Sequence, residues 1–356
     1  MTRYPFEIPD LAGRALTVAG PVDPSVLGPT LMHEHVFVDL RRSPRFHRPG
    51  EDAPEAAEPL TLATLAHTRH GRPNADNDLM GDFDEMLAEV LAFAHSGGGA
   101  MVEVSPVGLG RDPLSLLRLS RASGLHIVMG GGWYTPAFHP ADMDGRGVDE
   151  LTDLIVRDIA VGADGTGIRS GVIGEVGAES VPLTANELKS VRASGRASRL
   201  TGAPVTFHVG GVGEEKFRVL GILEEEGVAP DNIVLGHGTE VLADPVFGER
   251  VLKRGVFVEF DFLASPGSPW GHLFLTSDHK VARGIAELVE RGYAEQILLG
   301  HDVCQKIQLK RYGGKGYDYI PRYFLPALRR LGVSEEAIRT IMVENPARAL
   351  AFAPPR

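Results

Sequence analysis

The chain has 356 residues, of which 43% are hydrophobic, 23% charged and 7% aromatic, a balance that excludes a disordered, collagen-like or coiled-coil protein. Its 36 Lys and Arg stand against 47 Asp and Glu, and the net charge of −11 argues against non-specific binding to nucleic acid or an anionic membrane. One cysteine, Cys304, excludes an intrachain disulfide and a cysteine-built zinc site, whereas 13 histidines leave imidazole and carboxylate as the available metal ligands.

Along the chain, Met1–Asp10 carries Arg3, Glu7 and Asp10 and lacks a signal-peptide core. No apolar run of about 18 residues follows, so a cytoplasmic protein with no membrane partner is expected. The first apolar run, Thr30–Val38, contains His33 and His35. Residues two apart in a strand leave the same face, so both imidazoles enter the interior together. Each then needs a partner, and a metal ion satisfies one nitrogen of each. The plainer reading of so short a string is one core histidine beside an incidental one. Glu34 falls on the opposite face and is expected against a helix.

Arg41–Gly81 is the longest interruption, with Pro44, Pro49, Pro54 and Pro59 in its first half and a short helix expected at Leu60–Thr68. The spacing then predicts a helix over Phe83–Ala94 and a strand over Ala100–Ser105. Arg111 lies in the loop before a helix at Leu114–Ala122, and a strand at His126–Gly130 leads to Trp133 and Tyr134. A helix over Glu150–Val161 precedes the strand Gly171–Val176, near whose end stands Glu175. The fifth strand, Pro204–Val209, carries His208 near its end and is followed by a helix at Lys216–Glu225. The sixth, Asn232–Leu235, leads directly to His237. Val256–Phe260, a helix at Lys280–Arg291 and Gln296–Leu299 complete the set, and His301, Asp302 and Cys304 follow. Asn345–Pro346 reads as a helix start with no chemical role.

Eight short apolar strands alternating with amphipathic helices predict a parallel sheet. At this length an α/β (β/α)8 TIM barrel is expected rather than an open doubly wound sheet, as one domain over residues 1–356 enlarged by the first-loop insertion. His33, His35, Glu175, His208, His237 and Asp302 then gather at the C-terminal ends of strands, where barrel active sites form. Four imidazoles and two carboxylates suffice for two divalent ions. Arg111, Lys306, Lys310, Arg311 and Lys315 lie in loops at the same end. They are either solvated charges or contacts for an anionic substrate.

The ordered set resembles the phosphotriesterase family of the amidohydrolase superfamily. The resemblance rests on Gly28-Pro29-Thr30-Leu31-Met32-His33-Glu34-His35, Gly110-Arg111-Asp112-Pro113 and Gly171-Val172-Ile173-Gly174-Glu175-Val176-Gly177. It continues in His301-Asp302-Val303-Cys304-Gln305-Lys306, Tyr312-Gly313-Gly314-Lys315-Gly316-Tyr317 and Glu344-Asn345-Pro346-Ala347-Arg348. It implies that His33, His35 and Asp302 hold a more buried metal and His208 and His237 a more exposed one. The fourth-strand carboxylate bridges them; many relatives use a carboxylated lysine there, and this chain has Glu175. The implied chemistry is attack by hydroxide generated between two divalent ions, zinc first and manganese, cobalt or iron as alternatives, with Asp302 as catalytic proton carrier. Tyr134, Arg111 and Lys306 are the expected contacts to a small-molecule substrate. His301, on the opposite parity to Asp302, is not expected to be a ligand, and Cys304 is expected to be a buried small residue. A lactone or other carboxylic ester is the expected substrate, ahead of an amide or an organophosphate triester. The rivals are a non-catalytic ligand-binding barrel and a mononuclear, deaminase-like site. A homodimer is the expected assembly by the same resemblance.

Overall fold

In the computed structural model the apolar runs pair in chain order. The structure describes residues 4–43, 58–264 and 276–356, with the backbone of 269–270 and 273–274. The barrel strands are β1 Thr30–Glu34, β2 Ala100–Glu103, β3 His126–Gly131, β4 Val172–Gly177, β5 Val205–His208, β6 Ile233–Leu235, β7 Phe257–Phe260 and β8 Ile297–Leu299. They form one eight-stranded sheet in that order, and the sequential pairings are parallel. Beyond the paired strands, Asp302 N–H donates to the His33 carbonyl and His35 N–H to the Val303 carbonyl, which draws the eighth strand's end onto the first. Gly300 makes this approach sterically feasible, because a Cβ there would stand 2.9 Å from His33 Cβ and the His33 carbonyl.

Five helices follow the expected spacing: α1 Phe83–His95, α2 Pro113–Ser123, α3 Val148–Ala160, α5 Glu215–Glu225 and α7 Asp278–Glu290. Asp82 and Asp112 cap the first two through the amides of Glu85 and Ser115, with Pro113 at the first turn of α2. Helices that the spacing does not predict include α4 Ala185–Thr201 and α6 Pro245–Leu252. α4 buries small residues, among them Ala193, Ser194, Ala197 and Ser198, so its packing face carries little apolar signal. Its start is nonetheless written in the capping box Thr184–Glu187.

Two apolar layers result. Met32, Ala100, Val102, Val128, Val172, Val234, Phe257 and Leu298 fill the barrel interior, and Ala15, Leu27, Ala349 and Leu350 join that cluster. The other faces of the strands pack on the helices through Met101, Ile127, Ile173, Val205, Phe207 and Val258. The interior is therefore solid on one side of the ligand layer.

β1 departs from the expectation of one strand to Val38. Thr30 and Leu31 face Ala100 and Met101, but Glu34 already faces Glu103, so one extra residue is inserted between them. The bulge lets Met32 join the apolar interior while His33 also points inward. Val38–Asp39 instead pairs antiparallel with Leu79–Met80. The insertion's helix spans Leu62–Arg69. Its proline-rich first half falls on 44–57, outside the described residues, as do residues 265–268, 271–272 and 275 of the loop after β7.

Candidate metal centre

The two histidines of β1 meet the carboxylate of β4. Glu175 Oε1 lies 3.2 Å from His35 Nε2, and its Oε2 lies 3.3 Å from His33 Nε2 and 3.1 Å from His208 Nδ1. Asp302 Oδ1 stands 3.2 Å from His35 Nε2 and 3.9 Å from His33 Nε2. His237 Nε2 is 2.7 Å from His208 Nδ1. Ligand atoms of His33, His35 and Glu175 all lie within 4.8 Å of one another; so do those of His33, His237 and Asp302, and of Glu175, His208 and His237. The six residues proposed from sequence thus share one cluster, with Glu175 between its two ends. All are buried except His208, which is half-buried.

Behind each imidazole stands a carboxylate. His35 Nδ1–H donates to Ser105 Oγ at 2.8 Å, and that hydroxyl donates to Glu103 at 2.6 Å. His237 Nδ1–H donates to Asp261 Oδ1 at 2.8 Å, and its ring stacks on Phe262. His208 Nε2 lies 3.3 Å from Glu179 Oε2. His33 Nδ1 faces Asp261 Oδ2 at 3.3 Å and Glu259 Oε2 at 3.5 Å. With a cation bound, the far nitrogens of His35 and His237 would carry the hydrogen and the near ones would turn a lone pair to the centre. His33, Glu259 and Asp261, all buried, form a fourth trio whose ligand atoms lie within 4.8 Å of one another.

The backbone is anchored in the same manner. Glu34 accepts from His301 N–H, His301 Nδ1–H and Val303 N–H, and so braces both neighbours of Asp302. This corrects the expectation that Glu34 packs against a helix. His301 Nε2 accepts from Ile320 N–H, so neither of its nitrogens is left for a metal. The Tyr317 hydroxyl donates to the His35 carbonyl at 2.6 Å. Val209, His237 and Asp302 all have left-handed backbones, with φ of 66°, 54° and 53°. Non-glycine residues of this kind cluster at functional sites, where the surroundings hold the strain.

The donor set fits divalent cations. Both ring nitrogens of His33 are buried without a hydrogen bond, and a cation held by this cluster would supply a missing partner. Burial disfavours charge on these histidines, yet the carboxylates outweigh it. His35 is pushed up to about 9 by Asp302 and Glu175, and His208 to about 10 by Glu175 and Glu179. Burial likewise opposes charge on Asp302, but hydrogen bonding to His35 and the nearby His33 hold it at about 2, and Glu175 is drawn well below the carboxylate range, chiefly by His33 and His208. The ionised carboxylates hold protons on the imidazoles. Metal uptake must displace protons from His35 and His208. With one of these protons displaced by each ion, the affinity for each is expected to rise between about pH 6 and 8 by roughly tenfold per pH unit. Competition against a chelator at each pH measures this, and a flat profile would contradict the ligand assignment.

The proposed substrate contacts separate. The Tyr134 hydroxyl is 3.2 Å from His208 Nδ1, and its ring packs edge-on to the imidazole at 4.7 Å. Arg111 does not offer its charge to a substrate. Its guanidinium is buried, doubly bonded to Asp164 and bonded to Asp158 at 2.7 Å. Lys306 is engaged by Asp76 at 2.6 Å, Lys310 by Asp318 and Lys315 by Asp278. Sequence reasoning missed Glu103, Ser105, Glu179, Glu259 and Asp261. A signal existed for two of them. Glu259 and Asp261 are two apart in and beyond an otherwise apolar strand, the same parity argument applied to His33 and His35.

Histidine and carboxylate groups that could hold metal sit at the C-terminal mouth of a (β/α)8 barrel, an arrangement that suits a barrel hydrolase. The chain belongs to the phosphotriesterase family, whose sequence profile matches residues 13–350. N-acetyltaurine hydrolases of Homo sapiens and Mus musculus are 33% and 34% identical to it over 350 and 351 residues, covering 96% of this chain and 99% of each relative. A resiniferatoxin-binding protein from Rhodobacter sphaeroides superposes with a TM-score of 0.89 at 37% identity, covering 97% of both chains. A lactonase from Listeria monocytogenes superposes with a TM-score of 0.77 at 25% identity, covering 95% of this chain and 99% of its own. The chain is accordingly a hydrolase.

Proposed function

We propose that this hydrolase is binuclear and cleaves the amide of small N-acyl compounds, with an N-acylated amino sulfonate or amino acid as first candidate. The end-to-end match at 33–34% identity to N-acetyltaurine hydrolases carries this reading. It moves the substrate from the lactone expected on sequence to an amide. Both present the same electrophilic carbonyl, so the shift changes the leaving group and not the chemistry of attack. His33, His35 and Asp302 would hold the buried ion and His208 and His237 the exposed one, with Glu175 shared. When bound, such ions lower the pKa of water toward neutrality and polarise a carbonyl.

The chain's own groups supply the rest. Asp302 is ionised and aimed into the cluster, so it is the base placed to take a proton and return it to the departing nitrogen. Glu34 keeps the residues on either side of that carboxylate in register. Burial, with Glu175 and Glu179 nearby, lifts the Tyr134 hydroxyl well above the ordinary tyrosine range, so it stays protonated as a donor beside His208. Glu103, Asp261 and Glu179 hold the imidazoles in the tautomers the ions require.

A second reading, a ligand-binding barrel without turnover, is favoured by the 37% identity to the Rhodobacter binding protein. One panel separates the two. Protein loaded with zinc or manganese is assayed on N-acetyltaurine, other N-acyl amides, lactones and a phosphotriester. Amide turnover, lost more than about 100-fold on chelation and restored by metal, is expected. Inertness toward every substrate with two ions bound would overturn the proposal.

A further inference from the structure

His208 is the last residue of β5 and the one ligand of the six that is half-buried. The chain leaves the sheet immediately after it through Val209, Gly210, Gly211 and Gly213, whose φ values are 66°, 65°, 93° and 55°. Glycine adopts this conformation freely, whereas a β-branched residue does so only under constraint. Something must hold Val209, and with it the end of the strand that aims His208.

Besides the Gly210 N–H bond to the His208 carbonyl and the Gly211 N–H bond to the Ala178 carbonyl, a side chain holds Val209, that of Lys216 at the start of α5. Its ammonium donates to the Val209 carbonyl at 2.5 Å. The side chain is 4% exposed, and its nearest carboxylate oxygen, Glu240 Oε2, is 4.0 Å away. Burial pulls the amine down to about 8, opposed by Glu240. A lysine is rarely buried for packing alone, because desolvating the ammonium is costly without good compensation. Here the compensation is a backbone carbonyl adjoining a metal ligand. Glu240 turns its other oxygen to the Gly213 amide at 3.1 Å. Glu240 opens the short helix Glu240–Ala243, three residues beyond His237. The loops after β5 and β6 are therefore joined by one lysine and one glutamate; the first begins directly after His208 and the second carries His237. The buried end is held differently, by Glu34, Tyr317 and Glu103.

We infer that Lys216 and Glu240 are positioning residues that clamp His208 and His237 to each other and so set the affinity of the exposed ion without affecting the buried one. This rests on the binuclear reading above. It differs from a general contribution to stability because it predicts a split between two affinities in one protein.

The test compares wild type, Lys216→Met and Glu240→Gln after removal of metal and titration with zinc, with bound ions counted by elemental analysis. Wild type is expected to bind two ions per chain. Lys216→Met is expected to bind the first as wild type does and the second at least tenfold more weakly; Glu240→Gln, which keeps an acceptor for Gly213, is expected to show the same split in smaller degree. Two ions bound by folded Lys216→Met with unchanged affinities, or both weakened equally, would overturn the inference. If Lys216→Met fails to fold, Glu240→Gln decides by the same criterion. Hydrogen exchange of the Val209–Gly213 amides in metal-free protein provides a readout that does not involve an ion. Exchange at least tenfold faster in the variants, with β1 and β8 amides unchanged, supports the clamp, and unchanged exchange refutes it. A wild type that binds one ion would overturn the binuclear reading, and the exchange data would still judge the clamp.

Discussion

Replacing Asp302 by Asn is expected to lower kcat by about 10²–10⁴-fold while leaving the melting temperature close to wild type. Asparagine suits this test for a backbone reason. Position 302 has a φ of 53°, a conformation Asn tolerates where alanine would add strain. The amide keeps the size of the side chain and an acceptor oxygen facing His35, and the Asp302 N–H bond to the His33 carbonyl is untouched. What disappears is the negative charge, and with it both the attraction for a cation and the capacity to accept a proton. Metal content measured alongside kcat divides these two losses. Both ions retained with slow turnover isolates the proton-carrying role, and one ion lost shows ligation to dominate. A variant with two ions and a kcat within threefold of wild type would remove Asp302 from the chemistry.

Arg111→Met is expected to destabilise the fold by about 3 kcal/mol, at the low end for breaking a buried ion pair, and to leave KM unchanged. The guanidinium is 3% exposed and joins Asp158, on α3, to Asp164, in the loop before β4. Removing it leaves Asp158, which is only 20% exposed, without its guanidinium partner. Asp164 is 48% exposed and rehydrates readily, which is why the low end applies. At about 2.1 cal/mol/K of unfolding entropy per residue, a loss of this size lowers the melting temperature of a 356-residue chain by about 4 °C. Thermal melts and a Michaelis curve on the same preparation check both halves. An unchanged melting temperature with KM raised tenfold would return Arg111 to the substrate.

The two variants mark where sequence reasoning reached and where it stopped. Asp302 was legible because a carboxylate directly after an apolar strand is hard to explain by solvation, and strand order then places it at the barrel mouth. The same logic reached His33, His35, Glu175, His208 and His237. It did not reach Glu259 and Asp261, although they obey it, because no ligand role drew attention to β7. Arg111 looked like a substrate contact because its loop position was known and its partners were not. Asp158 and Asp164 are 47 and 53 residues away in sequence, and nothing local ties either of them to Arg111.

Local periodicity and composition determined the α/β alternation, the strand ends that carry ligands and the choice of imidazole and carboxylate over thiolate. These are properties of neighbouring residues, set by pleat, helical pitch and the chemistry of single side chains. Tertiary structure alone decided the bulge that turns both Met32 and His33 inward, the carboxylate behind each imidazole, and the neutralisation of Arg111, Lys306, Lys310 and Lys315. Those outcomes depend on distances between residues far apart in the chain, and a charge shows its role only when the group facing it is known.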